Sequence, residues 1–424
     1  MSKINNTSSN RQLPPIPLML GDNQLIQRKS GSNCNVAVVG PPGCGKTHSI
    51  LTPNLLLSTD CSLIVDDKKG VLYRKTHKFF KKHGYRILKF DTVSPAESCS
   101  DSIRFNPFAL LYTRDDAVTL ANLLLPDALE TKDVFWLHSA RALAVCLMEI
   151  GMHMAALSAE ELNLGYFFDI LHVVERDPDK EDLIDDIIKQ HEENGLRYDS
   201  MQDYKMLKQC AASTWCSIVI TLEGYMQKFH TTQTMNLMST NTISFADMVS
   251  AKTILYVINN DMDNSKSPVI QLLYRQICAG LTRYADLECA EYNNMLPIPV
   301  RFFIDDFASG TRQADFENII ANCRSRNISY ILCFQSISQL RALYGKKADG
   351  ILDCLEYQVY FGTSNVETNQ YLSDAANMPC DKIQRMRHDQ VLVLHRCEPA
   401  RLTARNRPEE LVLFKESSLG SPSR

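Results

Sequence analysis

Residues 40–47 have the order and spacing of a loop that binds phosphate groups. They are Gly40, Pro41, Pro42, Gly43, Cys44, Gly45, Lys46 and Thr47, which match the pattern GxxxxGK[ST] in full. In such a loop the glycines let backbone N–H groups approach a β-phosphate that side chains would otherwise block. Lys46 would bridge the β- and γ-phosphates, and the Thr47 hydroxyl would ligate Mg²⁺. The pattern therefore predicts a binding site for a nucleotide and its magnesium ion.

An acidic pair later in the chain supplies the second half of such a site. Asp305 and Asp306 directly follow the apolar run VRFFI, which has the form of a buried strand. Asp305 is expected to hold Mg²⁺, and Asp306 to orient or deprotonate the attacking water. The other interpretation is that the pair begins a turn or caps a helix. Asp67, which ends the run LIVDD, is a third acidic strand end, and turn chemistry explains it equally well.

Short apolar runs around these residues predict the elements that position them. NVAVV precedes the phosphate loop, and CSLIVDD and YRILKFD follow it with helical stretches between them, as in a parallel sheet with crossover helices. Long helical periods then replace this pattern, before TILYVI, VRFFI, ISYILCF, YQVYF and QVLVLH return to strands. The order predicts an α/β domain with an inserted all-α domain. The expected parts are a flexible lead-in (1–30), the α/β domain (31–112 and 250–412), the all-α insertion (113–249) and a disordered tail (413–424).

Composition excludes several classes of protein. The 424 residues are 45% hydrophobic and 22% charged, which is ordinary for a globular chain and excludes a disordered, collagen-like or coiled-coil protein. The net charge of −4 excludes a protein that binds nucleic acid through a positive charge spread over its whole surface. Any nucleic acid would therefore have to contact a local basic patch. The 14 cysteines include no CxxC pair, and they are interpreted as buried thiols in a reducing compartment. The apolar run at 142–159 contains Glu149 and His153 and is interpreted as a buried bundle helix.

The sequence resembles a known family over most of its length, from about Asn33 to Arg405. The segment FENIIANCRSRNISYILCFQSISQLRALYG is similar to a block of the type IV secretion coupling proteins, the TraG/TraD-type conjugation ATPases. Colinear similarities include KTHSILTPNLL, FNPFALL, VFWLHSARALA, LYVINNDMDNSKSPVIQLLYRQI and PIPVRFFIDDFAS. The chain is most similar to Gram-positive members of the family.

The resemblance implies a RecA-like P-loop NTPase domain that carries an all-α domain for cargo recognition. It also implies ATP and Mg²⁺ as cofactors, and a homo-hexameric ring at the inner face of the membrane. Such a ring hydrolyses ATP to pass a relaxase–single-stranded DNA complex, or a protein cargo, to a secretion channel. The family's N-terminal membrane helices are not found in this chain. We therefore expect it to be cytoplasmic and to dock onto a membrane component of the channel, or to act away from the membrane.

The resemblance also assigns roles to individual residues. Lys46 and Thr47 match the phosphate loop, and Asp305 matches the magnesium aspartate. Gln335 matches the glutamine that senses the γ-phosphate. Arg324 and Arg326 match a block from which an arginine finger could reach a neighbouring subunit's nucleotide. The other interpretation is that both arginines pair with surface carboxylates.

Two departures from the family pattern bear on activity. The family has DEFA where this chain has Asp306 in place of the glutamate, and DPKGE where this chain ends in Val71. Because aspartate is about 1.5 Å shorter, and a misplacement near 1 Å can lower a rate about a hundredfold, we expect slow hydrolysis. An adaptor that binds nucleotide and cargo but hardly turns over is therefore the alternative hypothesis.

Residues 68–89 form the most basic part of the sequence, with nine lysines and arginines and neither Asp nor Glu. They would suit nucleic-acid phosphates or a solvated helix face. Residues 175–193 are strongly acidic, and would suit a basic cargo or nothing.

Overall fold

The apolar runs form the strands of one large sheet. The structure is a computed structural model that describes residues 17–26, 33–94, 102–126, 134–158, 161–242, 244–260, 263–309, 312, 313 and 315–417. Its strands are β1 (Leu18–Met19), β2 (Leu25–Ile26), β3 (Val36–Val39), β4 (Ser62–Lys68), β5 (Arg86–Asp91), β6 (Thr253–Asn259), β7 (Val300–Ile304), β8 (Ile328–Phe334), β9 (Tyr357–Tyr360), β10 (Gln390–His395) and β11 (Glu398–Ala404).

Helices connect these strands and also make up a separate unit. They are α1 (Thr52–Leu57), α2 (Val71–Lys82), α3 (Arg114–Leu124), α4 (Val134–Ser158), α5 (Leu164–His172), α6 (Leu183–Glu193), α7 (Asp199–Lys208), α8 (Ala212–Met226), α9 (Thr232–Leu237), α10 (Asp247–Ser250), α11 (Ser267–Glu288), α12 (Phe316–Cys323), α13 (Ile337–Tyr344), α14 (Lys347–Asp353), α15 (Val366–Ala376), α16 (Cys380–Gln384) and α17 (Val412–Glu416).

The order of the sheet places the predicted site residues at one edge. Within the described residues the sheet has nine strands in the order β11-β10-β9-β3-β8-β7-β4-β6-β5. Strands β9, β3, β8, β7, β4 and β6 pair in parallel, whereas β10 is antiparallel to both of its neighbours. The carboxyl ends of adjacent parallel strands lie together, so the residues after β3, β8 and β7 meet at one edge. The α/β fold predicted from the sequence is therefore confirmed.

The described residues divide into a sheet unit and a helical unit. The sheet unit lies within Met1–Phe90, Phe245–Asp261 and Cys278–Arg424, and the helical unit within Asp91–Ser244 and Met262–Ile277. The helical unit thus begins before the predicted boundary at 113. The reason is hydrogen bonding: the Phe105 amide donates to the Leu237 carbonyl at 2.9 Å, and Asn106 Nδ2 donates to the Leu162 carbonyl at 2.8 Å.

Helix α4 is the central helix of the helical unit. By length and composition, Val134–Leu157 is the one described helix that could cross a membrane, and 56% of its apolar window is buried within the protein. It packs against α3, α5, α7 and α8. Residues 204–229 have one continuous helical period in the sequence, but the structure divides them between α7 and α8. Lys208, at the end of α7, turns inward to pair with Asp185 at 2.5 Å and Asp182 at 3.3 Å.

Both ends of the described chain are more ordered than the sequence predicts. In the expected flexible lead-in, Leu18 is buried, and the Met19 amide donates to Asn54 Oδ1 at 2.8 Å. In the expected disordered tail, α17 is helical and buries Phe414 against the core of the sheet unit. Burial of apolar side chains orders both segments. The rest of the two predicted segments, 1–16, 27–30 and 418–424, lies outside the described residues.

Candidate functional site

The phosphate loop connects the fully buried strand β3 to the helix that follows it. Gly43 and Gly45 have φ angles of +73° and +95°, which side chains other than glycine rarely adopt. Within the described residues, the amides of these two glycines have no backbone acceptor. Lys46 Nζ donates to the carbonyls of Gly40 at 2.6 Å and Pro41 at 3.2 Å. The loop therefore presents free N–H groups and one cation to an anion.

The helix after the loop begins with a π-helical turn, Thr47–Leu51, that continues directly into α1. Pro53 accounts for this irregular start, because it has no N–H and its ring displaces the carbonyl four residues earlier. That carbonyl, of Ser49, accepts a hydrogen bond from Asn406 Nδ2 at 2.8 Å instead. The local sequence and a distant segment thus together fix the first turn behind the loop.

Thr47 and Asp305 meet across the sheet edge, as the sequence predicts. Thr47 Oγ1 donates to Asp305 Oδ2 at 2.8 Å. Burial raises the pKa of Asp305; the hydrogen bond from Thr47 opposes that effect, and the charge of Asp306 adds to it. One hydroxyl and one carboxylate are hard oxygen donors that suit Mg²⁺ bound with phosphate oxygens and water. Among the described residues, no cluster of three or more His, Cys, Asp or Glu could hold a metal without such a ligand.

Asp306 occupies an unusual backbone position. Its φ angle is +54°, in the left-handed region where aspartate and asparagine are enriched over longer residues. The turn is held by the Phe307 amide, which donates to the Cys333 carbonyl at 2.7 Å, and by Ser309 Oγ, which donates to the Asp306 carbonyl at 2.7 Å. The conformation favours aspartate, which gives a physical reason for its presence here.

Asp66 is a site residue that the sequence analysis missed. It is fully buried, accepts a hydrogen bond from Asn259 Nδ2, and lies 3.8 Å from Lys68 Nζ. Burial raises its pKa to about 7; Lys68 opposes this effect, and nearby Asp305 adds to it. Side chains alternate between the faces of a strand, so this residue and Asp67 point in opposite directions. Two consecutive acids at a strand end were the available signal.

Asp67 has the structural role that the sequence left open. Its carboxylate accepts hydrogen bonds from the Leu72 amide at 2.8 Å and the Tyr73 amide at 2.6 Å. These are N–H groups of the first turn of α2 that have no partner within the helix. The residue therefore holds the start of α2, and Val71, which replaces the family's glutamate, is the first residue of that helix.

Gln335 lies where a group that detects the γ-phosphate is expected. It directly follows β8, between the strands that carry the phosphate loop and Asp305. The backbone N–H of Gln335 donates to Gln339 Oε1 at 2.9 Å. One residue earlier, the Phe334 carbonyl accepts from the Gly40 amide at 3.2 Å, which joins the end of β8 to the start of the loop. Its proposed role as a sensor stays a prediction.

The two arginines of the predicted finger block lie in different environments. Both are in a short 3₁₀ turn between α12 and β8. Arg326 forms a bidentate ion pair with Asp286, at 3.1 Å from both Nε and Nη2. Arg324 is exposed, and no carboxylate of the described chain lies within ion-pair distance of it. The interpretation that both arginines pair with surface carboxylates thus applies to Arg326 alone.

Cys44 is enclosed by the loop. It is 7% exposed, and burial raises its pKa, although Lys46 and Arg405 oppose that rise. A buried thiol with a raised pKa is a poor nucleophile. The cysteine therefore contributes packing to the loop.

The two charged segments differ in how accessible their charges are. In α2, Arg74, Lys78, Lys81 and Lys82 are exposed, and no acidic side chain belongs to that helix. In the acidic segment, Asp182 and Asp185 form the capping box of α6 and pair with Lys208. Two of the nine acidic residues of this segment are thus paired inside the helical unit.

A phosphate loop after β3, an acid after β7 and a polar residue after the intervening β8 define a RecA-like P-loop nucleoside triphosphatase fold. Residues 3–379 match the family model of type IV secretory system conjugative DNA transfer. The chain belongs to this family, and is thus a coupling protein of conjugative DNA transfer by type IV secretion. The resemblance seen in the sequence is confirmed. No curated protein matches the chain at a significant level.

Solved structures share the fold at low sequence identity. The bacterial conjugative coupling protein TrwBΔN70, in its unbound form, is 14% identical with a TM-score of 0.66, and the match covers 94% of this chain and 90% of that one. TrwB in complex with ADP and Mg²⁺ is 15% identical with the same TM-score and coverage. VirB4 of Thermoanaerobacter pseudethanolicus is 14% identical with a TM-score of 0.54, and the match covers 93% of this chain and 97% of that one.

Proposed function

We propose that the chain hydrolyses ATP with Mg²⁺ and uses the energy to deliver cargo to a type IV secretion channel. The observation that carries the proposal is the 2.8 Å contact between Thr47 Oγ1 and Asp305 Oδ2. The contact brings together one hydroxyl and one carboxylate, the oxygen donors that Mg²⁺ would take, beside the loop that carries Lys46. A glycine-rich turn that binds no phosphate would not require an acid at this position.

Each residue of the edge has a part in the proposed reaction. Lys46 would neutralise the β- and γ-phosphates, while Thr47 and Asp305 would hold Mg²⁺ between them. Asp306 would position the attacking water, and Gln335 would contact the γ-phosphate. Magnesium would supply charge neutralisation for the transferred phosphoryl group. The complex of TrwB with ADP and Mg²⁺ supports a nucleotide and magnesium as ligands in a protein of this fold.

The proposed cargo is a relaxase–single-stranded DNA complex or a secreted protein, since the family is one of conjugative DNA transfer. The proposed working form is a homo-hexamer in the cytoplasm, held at the inner face of the membrane by a component of the channel. Arg324 supports the proposed assembly, because it is exposed and has no carboxylate partner in the described chain, and is therefore free to reach a neighbouring subunit.

Changing Asp306 to glutamate tests whether the protein is an ATP-hydrolysing motor or an adaptor that binds nucleotide and cargo with little turnover. We expect the variant to release phosphate from ATP at least tenfold faster, because its carboxylate reaches about 1.5 Å further toward the water. The left-handed backbone at this position is expected to lower stability by about 1 kcal/mol. The measurement is steady-state phosphate release beside Asp306→Asn, which should be slower than wild type. Equal turnover in all three proteins would remove this residue from the proposed reaction, and no turnover in any of them, despite ATP binding, would favour the adaptor.

The exposed lysines of α2 are expected to contact DNA phosphates. Two of them are neutralised in the double variant Lys78→Gln with Lys81→Gln. The slope of log binding constant against log salt concentration for single-stranded DNA should become shallower by about 0.7 for each lost contact. Affinity at low salt should fall about tenfold. The measurement is fluorescence anisotropy of a labelled oligonucleotide across a salt series, with exposed Lys189→Gln in α6 as the matched control. An unchanged slope would mean that α2 is only a solvated face.

A further inference from the structure

A distant arginine contacts the phosphate loop. Arg405 directly follows β11, and its Nη1 donates to the Cys44 carbonyl at 2.5 Å. Its guanidinium lies over the Phe361 ring, 4.8 Å from the centroid. Its backbone amide donates to the Asp389 carbonyl at 2.8 Å, which fixes where the side chain starts. The arginine is therefore held in place at both ends.

The acceptor of this bond determines what the arginine can do. The Cys44 carbonyl and the Gly45 N–H belong to one planar peptide, and they point in opposite directions from it. Holding the carbonyl toward Arg405 therefore turns the Gly45 amide away from Arg405. That amide is one of the loop N–H groups without a backbone acceptor in the described residues. The positive φ of +95° at Gly45 favours glycine there, whereas space does not, since a Cβ would make only an ordinary contact with Arg405 Nη1 at 3.5 Å.

The charge of Arg405 has no anionic partner in the described chain. Its hydrogen bonds go to carbonyl groups, those of Cys44 and, at 3.5 Å, Gln390. Its Nη2 is buried without a hydrogen-bond acceptor in the described residues. A buried, incompletely satisfied donor lowers stability and requires an explanation. Two cations, Arg405 and Lys46, thus lie at one loop, and a polyanion bound there would balance them.

The neighbouring residue extends the same contact to the helix behind the loop. Asn406 Nδ2 donates to the Ser49 carbonyl at 2.8 Å and to the Met19 carbonyl at 3.0 Å. Residues 405 and 406 therefore hold the loop and the first turn after it. They directly follow β11, the strand at the end of the sheet order, which β10 and β9 separate from β3.

We propose that Arg405 is a positioning residue for nucleotide binding. Through the Cys44 carbonyl it directs the Gly45 amide toward the β-phosphate, and it adds a second positive charge to the loop. The inference rests on the proposed binding of a nucleotide at this loop.

ADP binding tests the inference without requiring turnover. We expect Arg405→Gln to weaken binding of a fluorescent ADP analogue with Mg²⁺ about tenfold, and to reduce the rise in Tm that ADP produces. The matched control is Arg407→Gln, two residues further on, because that arginine is 70% exposed and pairs with Glu410 at the surface. The control should bind ADP as wild type does. Circular dichroism of the ADP-free variants shows whether each is folded.

The outcomes separate this inference from the proposed function. ADP affinity equal to wild type in a folded Arg405→Gln protein overturns the inference and leaves the proposed function standing. If that variant does not fold, Arg405→Lys decides. It keeps the charge but lacks the planar fork that bonds both carbonyls. It should lose about threefold in ADP affinity, and unchanged affinity overturns the inference. A wild-type protein that binds no ADP contradicts both.

Discussion

Replacing Lys46 by alanine should lower ATP turnover about a thousandfold, the loss typical when a preorganised donor to developing charge is removed. Lys46 Nζ lies 2.6 Å from the Gly40 carbonyl, at the loop where the β- and γ-phosphates are expected. Alanine leaves their charge without its main counterion in the loop. The fold should persist, since the lysine's hydrogen bonds are to two loop carbonyls, each worth about 1 kcal/mol net.

The measurement for Lys46 is steady-state phosphate release at saturating ATP and Mg²⁺. Lys346→Ala is the matched control, because that lysine is exposed and lies outside the phosphate loop, between α13 and α14. The Lys346→Ala control should keep wild-type turnover. The Lys46→Ala protein should have a Tm within a few degrees of wild type. Turnover above a tenth of the wild-type rate in Lys46→Ala would show that this loop is not the site of hydrolysis.

Replacing Arg324 by alanine should lower turnover about 10³- to 10⁵-fold, the usual contribution of an arginine finger. The residue precedes the amino end of β8, whereas Gln335 follows its carboxyl end. Seven strand residues span roughly 23 Å, which is too far for an arginine side chain to reach the loop of its own subunit. Arg324 can therefore act only on a neighbour. Arg326→Ala should leave turnover within about threefold of wild type, because Asp286 holds that side chain.

A mixing experiment separates action in trans from a loss of folding. Arg324→Ala subunits keep their phosphate loop, and Lys46→Ala subunits keep their arginine. Where the two meet in the right order, one complete site forms. We expect each variant alone to be inactive and an equal mixture to recover a measurable fraction of wild-type turnover. A mixture as inactive as its components would contradict a finger at Arg324.

The sheet and the phosphate loop were predictable because both are determined by residues that are close together in the sequence. Buried apolar runs such as ISYILCF form strands, and the loop has a fixed spacing of glycines. Strand β11 was missed because EPARLTA is a partly exposed edge strand with no apolar run. The break between α7 and α8 was not predicted, because residues 209–211 between them contain neither proline nor glycine.

The site shows the same division between local and distant information. Asp305 was predictable from a motif that ends an apolar strand. Arg405 was not, because its contact with Cys44 joins residues 361 positions apart in the sequence. The environment of Arg326 likewise depends on Asp286, which lies in α11. Motifs therefore identified the phosphate loop and Asp305, whereas the contact of Arg405 and the difference between Arg324 and Arg326 depend on long-range packing.

The most direct test is the ATP turnover of the wild-type protein, measured with and without single-stranded DNA at low salt. A nucleotide-driven coupling protein should release phosphate at a rate that DNA raises severalfold, and the Lys46→Ala protein should do so under neither condition. No turnover with or without DNA, in a protein that binds ATP and Mg²⁺ tightly, would contradict the motor and leave an adaptor that only recognises its cargo.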